Sequence, residues 1–376
     1  MPVSPINIRP DVLHVCEACA GGVRRHLELV LPALHKRGLK QGLFAFSARA
    51  DSDFMLLLEQ LQDLDCAVDY LDLHPALSLS GLFNAARCLQ AMIDELQPRT
   101  LHLHSGWAGI LGRLPLFGIR HKCKLYAPHA FGWQSKSLWA SLLKPRLEKY
   151  LSRHTQAYIL VGQEELREAA SLGINNDKLF LAENGLPADF AASLWRRQKA
   201  RQALAIPEDE CAVLIPCRLA WQKGLDLLLP ALAQNNMTEL ELNFHICGDG
   251  PEKDALAKLA KKLNLQEKIH FRGNLPGLWQ KLRAFDGAIL PSRYEGRSYA
   301  LLECMAAKMP LLCSDIPANM LSAEVLSFKA GDQESLGRGL TELQSKLGQV
   351  INYEPQTSLE EQTEQLISAY ETAAGT

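Results

Sequence analysis

Nowhere in the 376 residues is there an apolar run of the roughly 18 residues that a membrane helix requires. The first stretch, "MPVSPINIRPDVLHV", also lacks the basic-then-apolar order of a secretion leader. Both absences lead to the expectation of a cytoplasmic protein. Excess charge of one sign is missing too, since 40 Lys and Arg face 42 Asp and Glu for a net charge of −2, and nothing in that balance points to nucleic acid. No G-x-G-x-x-G follows a strand-like run, which argues against a nicotinamide dehydrogenase. "CEAC" at 16–19 has no second cysteine pair to complete a zinc site, and other cysteines sit in apolar runs such as "FHICGDG" and "PLLCSD". The ten cysteines therefore read as reduced, buried thiols and not as a disulfide frame.

The composition, 47% hydrophobic and 22% charged, is that of an ordinary globular protein. At 376 residues the chain exceeds the roughly 250 to 300 at which one core stops growing, so two domains are expected. Short apolar runs alternate with amphipathic stretches throughout, the signature of an α/β protein with doubly wound parallel sheets. The strand candidates are "VLHVC", "LFAFS", "AVDYLDL", "TLHLHS", "KLYAPH", "AYILVG" and "LFLAEN", then "AVLIPC", "NFHICG", "IHFRG", "GAILPS", "PLLCSD" and "LSFKAGD". Between the two series lies the polar helical stretch "PADFAASLWRRQKARQALAIPEDE". That pattern suggests one domain over 1–195 and a second over 196–355. Residues 356–376 form a final amphipathic helix, capped by Ser358, that packs back toward the first domain.

Ligands of open α/β sheets collect beyond the carboxyl ends of the strands, so the residues just after each strand carry the chemistry. Gly21 and Gly22 precede a helix, where backbone can approach an anion closely; a plain tight turn explains them equally. Period two puts His102 and His104 on one face of their strand, and His129 ends another. These three could ligate zinc, although a core role suits His102 and a substrate contact suits His129, with Trp133 as a surface for a sugar to stack on. Arg218 and Lys223 share one strand-to-helix loop and could clamp a diphosphate, the alternative being a solvated loop. Gly248 and Gly250 could admit a nucleotide or simply turn the chain. Glu295 lies in the loop after "GAILPS", and Glu303 lies inside the following helix among apolar neighbours. A buried carboxylate needs a partner, either the hydroxyl pair of a sugar or a protein arginine.

In order along the chain, "GGVRRHL", "LHLHSGW", "APHAFGW", "ENGLP", "CRLAWQKGLDLLLPAL", "CGDGPEKDAL", "FRGNL" and "LPSRYEGRSYALLECMAA" resemble the GT4 family of retaining glycosyltransferases, of the GT-B fold. The last, with its Glu-x7-Glu spacing, is the most specific. The resemblance implies two Rossmann-like domains facing a central cleft, and transfer of a sugar from a UDP- or GDP-linked donor with retention and without a metal or other cofactor. By the same resemblance Arg218 and Lys223 neutralise the leaving diphosphate, Glu295 holds donor-sugar hydroxyls and Glu303 the ribose. Gly296, Arg297, Ser298 and Tyr299 offer amides to sugar and phosphate. Gly21, Gly22, Gly248, Gly250 and Arg272 stand on the donor side, His129 near the anomeric carbon, and His104, Trp133 and Asn184 toward acceptor or cleft. "DSD" at 51–53 sits in a polar loop and is discounted as the metal-binding motif of other transferases.

Arg297, Ser298 and Lys308 depart from the small or apolar residues common in the family at those positions, as does "DIPAN" from a frequent Gly-Gly. Arg297 could reach an acidic sugar or the diphosphate. From 99 to 154, Arg99, Arg113, Arg120, Lys122, Lys124, Lys136, Lys144, Arg146, Lys149 and Arg153 oppose Glu148 alone. With Trp139, Leu142, Leu143, Leu147 and Leu151 these make either a docking face for the anionic inner surface of a membrane or a solvated basic helix. The function expected is a glycosyltransferase acting on a glycan or lipid-linked acceptor in bacterial surface-glycan synthesis. A non-catalytic donor-binding subunit and a zinc hydrolase on His102, His104 and His129 are the alternatives.

Overall fold

The structure, a computed structural model, describes residues 9–73, 78–132, 138–234 and 241–375. Trp133, Lys136 and the side chain of Trp139 lie outside the described residues. All thirteen strand candidates form strands. The first seven are β1 (Val12–Cys16), β2 (Gln41–Phe46), β3 (Ala67–Leu71), β4 (Thr100–His104), β5 (Lys124–Ala127), β6 (Ala157–Leu160) and β7 (Leu179–Leu181). They make one parallel sheet in the order β3-β2-β1-β4-β5-β6-β7. The next six are β8 (Ala212–Pro216), β9 (Asn243–Cys247), β10 (Ile269–Gly273), β11 (Gly287–Leu290), β12 (Leu311–Ser314) and β13 (Leu326–Phe328). Their parallel order is β10-β9-β8-β11-β12-β13.

Strands covered on both faces are buried throughout, which is why they read in the sequence as unbroken apolar runs instead of alternating ones. β1, β2 and β4 are buried along their whole length. Strand order reverses between β1 and β4 in one sheet and between β8 and β11 in the other. The loops leaving those strands are where such sheets take ligands.

The chain divides into two compact units, Met1–Gly185 with Thr357–Thr376, and Leu186–Gln356. Residues 186–195 thus belong to the second unit, ten residues earlier than the boundary read from the sequence. Phe190 and Leu194 are buried with Leu282, Phe285 and Leu301, and Trp195 N donates to Gln280 O at 2.7 Å. A four-residue helix, Phe190–Ser193, carries that apolar contact inside the stretch read as polar and helical between the two strand series. The last helix, Leu359–Gly375, starts with a capping box: Glu361 N donates to Ser358 Oγ at 3.1 Å while Ser358 N donates to Glu361 Oε2 at 2.8 Å. It buries Leu366, Ala369 and Tyr370 against Val30, Leu34 and Leu125 in the first unit. All ten cysteines are free thiols, and seven are buried.

Candidate active site

In the second unit, β8 delivers Arg218 and Lys223, and β11 delivers Ser292 and Glu295, on the two sides of the point where strand order reverses. Lys223 Nζ pairs with Glu295 Oε1, which also accepts from Ser292 Oγ at 2.6 Å. The Glu295 side chain is only 8% exposed, so this carboxylate is held in place before any ligand arrives. The loop beneath is pinned by Arg293, whose guanidinium makes a two-nitrogen fork on Asp226 (2.7 and 2.9 Å) and stacks 4.5 Å from the centre of the Trp221 ring. Gln222 Nε2 donates to Tyr294 O at 3.0 Å and Arg293 N to Gln222 O at 2.8 Å, which ties the two loops together. Arg218, on the same loop as Lys223, is exposed.

Gly248 and Gly250 leave β9 so close to this loop that side chains do not fit. A Cβ at Gly248, whose φ is +147°, would lie 2.1 Å from Cys217 O, and one at Gly250 2.4 Å from Leu219 O. The glycines are therefore fixed by backbone-on-backbone packing next to Arg218. Arg272 has one nitrogen committed to Leu204 O, at the end of the helix Arg197–Leu204.

Glu303 sits in the helix Tyr299–Ala306 and is 9% exposed among buried Leu301, Leu302, Cys304 and Met305. It is not without partners inside the protein. Ser298 occupies the N-cap position, but its hydroxyl makes no capping hydrogen bond. Gly296 and Tyr299 are buried, and Arg297, also 9% exposed, donates to Gln356 Oε1 at 2.9 Å. Gln356 is itself fixed by donating to Leu321 O (3.2 Å) and Glu354 O (3.0 Å), which accounts for an arginine at a position where small residues were expected.

The first unit gathers histidines. Register pairs His14 of β1 with His102 of β4, and Cys16 with His104, so His14, His102 and His104 share a face. His14 Nδ1 lies 3.0 Å from His104 Nε2, and His104 Nδ1 lies 2.9 Å from His129 Nε2. His102 Nδ1 instead meets Tyr370 Oη at 2.8 Å, the core role expected of it. His26, from the helix Gly21–Lys36, lies 3.2 Å from Asn184 Oδ1, which also accepts from Gln362 Nε2 at 3.1 Å. Burial pushes the pKa of His14 down to about 3 and that of His26 to about 4, and lowers His102, His104 and His129 as well, with neighbouring rings adding to the effect. All five rings are neutral at pH 7. Among the described residues, metal-type donors gather in two triads, His14 with His102 and His104, and His26 with His104 and His129. His102, His104 and His129, the zinc set read from the sequence, are not brought together as one such triad.

Gly21 and Gly22 open the helix after β1, but the Gly21 amide donates to Asp51 Oδ2 at 2.8 Å. Asp51 and Asp53 both hold Arg24. "DSD" is thereby a brace for the start of this helix, a long-range contact with no local signal. His129 and Ala130 both adopt positive φ (+52° and +87°), and the Ala130 amide is held by the buried Glu165 carboxylate, which also accepts from Val161 N at 2.9 Å. Period-two reasoning missed His14 only because strand pairing is invisible in one sequence; His26 and Glu165 had no local signal at all.

Of the basic stretch, Arg113 is buried in a two-nitrogen pair with Glu148 (2.5 and 3.0 Å), beside Tyr158, and Leu151 is 1% exposed in the core. Both drop out of any surface. Leu142, Leu143, Lys144, Arg146, Leu147, Lys149 and Tyr150 are exposed on the helix Leu138–Leu151. Among the described residues no helix is long and apolar enough to cross a membrane.

Two doubly wound parallel units with this loop chemistry define the class. The profile described as "Glycosyl transferases group 1" matches residues 196–346, and that of the "Glycosyl transferase 4-like domain" matches 21–185. The chain belongs to this GT4 family of glycosyltransferases and has the GT-B fold. It is 25% identical over 273 residues to EpsD of Bacillus subtilis, which carries a glycosyltransferase name, covering 69% of this chain and 71% of that one. It is also 25% identical over 229 residues to the Escherichia coli UDP-Gal:alpha-D-GlcNAc-diphosphoundecaprenol alpha-1,3-galactosyltransferase, covering 58% of each. Among solved structures, Anabaena HepE in complex with UDP and glucose superposes with a TM-score of 0.72 at 17% identity, over 96% of this chain and 99% of that one. At that identity the likeness speaks for the fold.

Proposed function

We propose that this protein is a retaining, metal-independent glycosyltransferase that moves a sugar from a UDP- or GDP-linked donor to a glycan or lipid-linked acceptor in bacterial surface-glycan synthesis. The observation that carries the reading is the half-buried Lys223–Glu295–Ser292 group at the strand-order reversal of the second unit. A departing nucleoside diphosphate gathers negative charge, and a preorganised cation stabilises it most at the transition state. Lys223 supplies that cation beside Arg218, while Glu295, already seated by Ser292, accepts from donor-sugar hydroxyls. In this reading Glu303 accepts from the ribose; the amides from Gly296 to Tyr299 open the Tyr299–Ala306 helix, whose N-terminus favours an anion. His129 is assigned a contact with the transferred sugar by the family resemblance. No covalent nucleophile is required, because the leaving phosphate itself assists removal of the acceptor proton on the same face. The E. coli relative, by its name, acts on a diphosphoundecaprenol-linked acceptor. The exposed leucines and cations of the helix Leu138–Leu151 suit docking at an anionic membrane, where such an acceptor would reside.

The test is turnover of a nucleotide-sugar panel in excess EDTA, with the anomeric configuration of the product read by proton NMR. Retention with undiminished rate supports the proposal; inversion, or loss of activity restored by a divalent metal, would overturn it.

A further inference from the structure

The chain of rings from His14 through His104 to His129 has one end sealed and one end open. His14 and His104 are 1% and 0% exposed, whereas His129 is only partly buried. With each ring neutral, each carries one N–H, and the contacts His14 Nδ1 to His104 Nε2 and His104 Nδ1 to His129 Nε2 allow only two arrangements. Either every ring is protonated at Nδ1, or every ring is protonated at Nε2.

The sealed end decides between them. His14 Nε2 is buried and has no partner within ordinary hydrogen-bond distance, and the same holds for Gln41 Oε1. Parallel register pairs Val12 with Gln41 and His14 with Leu43, so Gln41 lies on the same face of the sheet as His14. The Gln41 side chain also acts on the His14 ring, opposing the burial that lowers its pKa. Its amide cannot turn over, because Nε2 donates to Leu31 O at 2.8 Å, which leaves Oε1 as the atom offered to the histidine. With protons at Nδ1, two bare acceptors would oppose each other in the core. With protons at Nε2, a small closing of the gap lets His14 Nε2–H donate to Gln41 Oε1, which would satisfy both buried atoms.

We infer that Gln41 acts as a positioning residue, setting His14, His104 and His129 all to the Nε2–H tautomer, so that His129 presents an unprotonated Nδ1 as an acceptor for a substrate hydroxyl. The second half rests on the role given to His129 above; the tautomers themselves do not. The backbone end of the same residue is fixed separately, by the Glu165 carboxylate on the Ala130 amide.

Long-range proton–nitrogen correlation spectra of the 15N-labelled full chain, with rings assigned through the backbone, read the tautomers directly. The expected result is Nε2–H with bare Nδ1 at His14, His104 and His129. A proton on Nδ1 of His104 or His129, or a metal-bound nitrogen in any of the three, overturns the inference. In Gln41→Met the acceptor is gone, the uniform Nε2–H state is lost, and kcat falls about tenfold while KM for the donor moves less than about twofold. If the wild-type tautomers are as stated but Gln41→Met turns over normally, the assignment of His129 to the reaction is what fails, and the polarity of the chain stands.

Discussion

Replacing Lys223 with methionine keeps the length of the side chain and removes the cation that grips Glu295. A unit charge about 4 Å from a phosphoryl oxygen is worth about 4 kcal/mol at an effective dielectric constant near 20. Lys223 is 19% exposed, so screening trims that figure, and about 3 kcal/mol remains as a working value. That corresponds to a fall in kcat of roughly 10², the lower end of what removing one oxyanion-hole donor costs elsewhere. The substitution also strands a carboxylate that is 8% exposed, leaving it Ser292 Oγ at 2.6 Å. An unsatisfied buried group costs about 1 to 3 kcal/mol, which lowers Tm by a few degrees in a domain of this size. The double variant Lys223→Met/Glu295→Gln separates the two effects, because it neutralises the stranded charge without returning the cation. Initial rates of nucleoside diphosphate release and thermal melts of all three proteins make the comparison. The double variant should regain most of the lost Tm and none of the lost kcat. A single variant within about threefold of wild-type kcat, or a double variant that recovers turnover, refutes the assignment of Lys223 to the leaving group.

Stability should fall from pH 7 to pH 5. His14 and His26 have folded pKa values depressed to about 3 and about 4 from 6.5, and His102, His104 and His129 are lowered by burial in the same direction, so the contribution of these five rings is complete above pH 6.5 and is lost as pH falls below it, outweighing the two raised carboxyls. Glu165, raised by burial from 4.5 to about 7, has the opposite sign: its contribution is complete below 4.5 and lost as pH rises through 7. Glu165→Gln removes that compensation, while Glu168 keeps its own in both proteins. Melts at pH 7 and 5 should therefore show a drop that is steeper in the variant by about 2 kcal/mol; an equal or shallower drop contradicts the burial argument. For the helix Leu138–Leu151, sedimentation with anionic vesicles should capture the protein at low salt and release it at high salt, and Leu142→Glu/Leu143→Glu should abolish capture; absence of binding at either salt concentration disposes of the docking face.

The strands were legible because doubly covered parallel strands must be apolar end to end, and Glu295, Lys223 and the glycines were legible because loop chemistry follows strand ends in the sequence. What stayed hidden depends on pairing between distant segments. His14 joins the histidine chain only through its register with β4, and Gln41 reaches it only through β2. Arg113 counted as surface charge until Glu148, 35 residues away, paired with it in the core. Phe190 counted with the first domain because a four-residue helix has too few positions to display a period. Arg297 reads as a departure in the motif and becomes ordinary once Gln356, 59 residues on, is seen to accept from it.

The central claim is that a nucleotide sugar is held by the second unit with Glu303 on its ribose. Thermal shifts of wild type and Glu303→Gln across UDP-, GDP- and ADP-sugars test it most directly. A ligand that binds only the folded state at about 100 times its Kd stabilises by about 2.7 kcal/mol. One nucleotide series should raise the Tm of wild type and leave the variant nearly unmoved. If no series shifts wild type, or the variant responds as wild type does, the account is wrong.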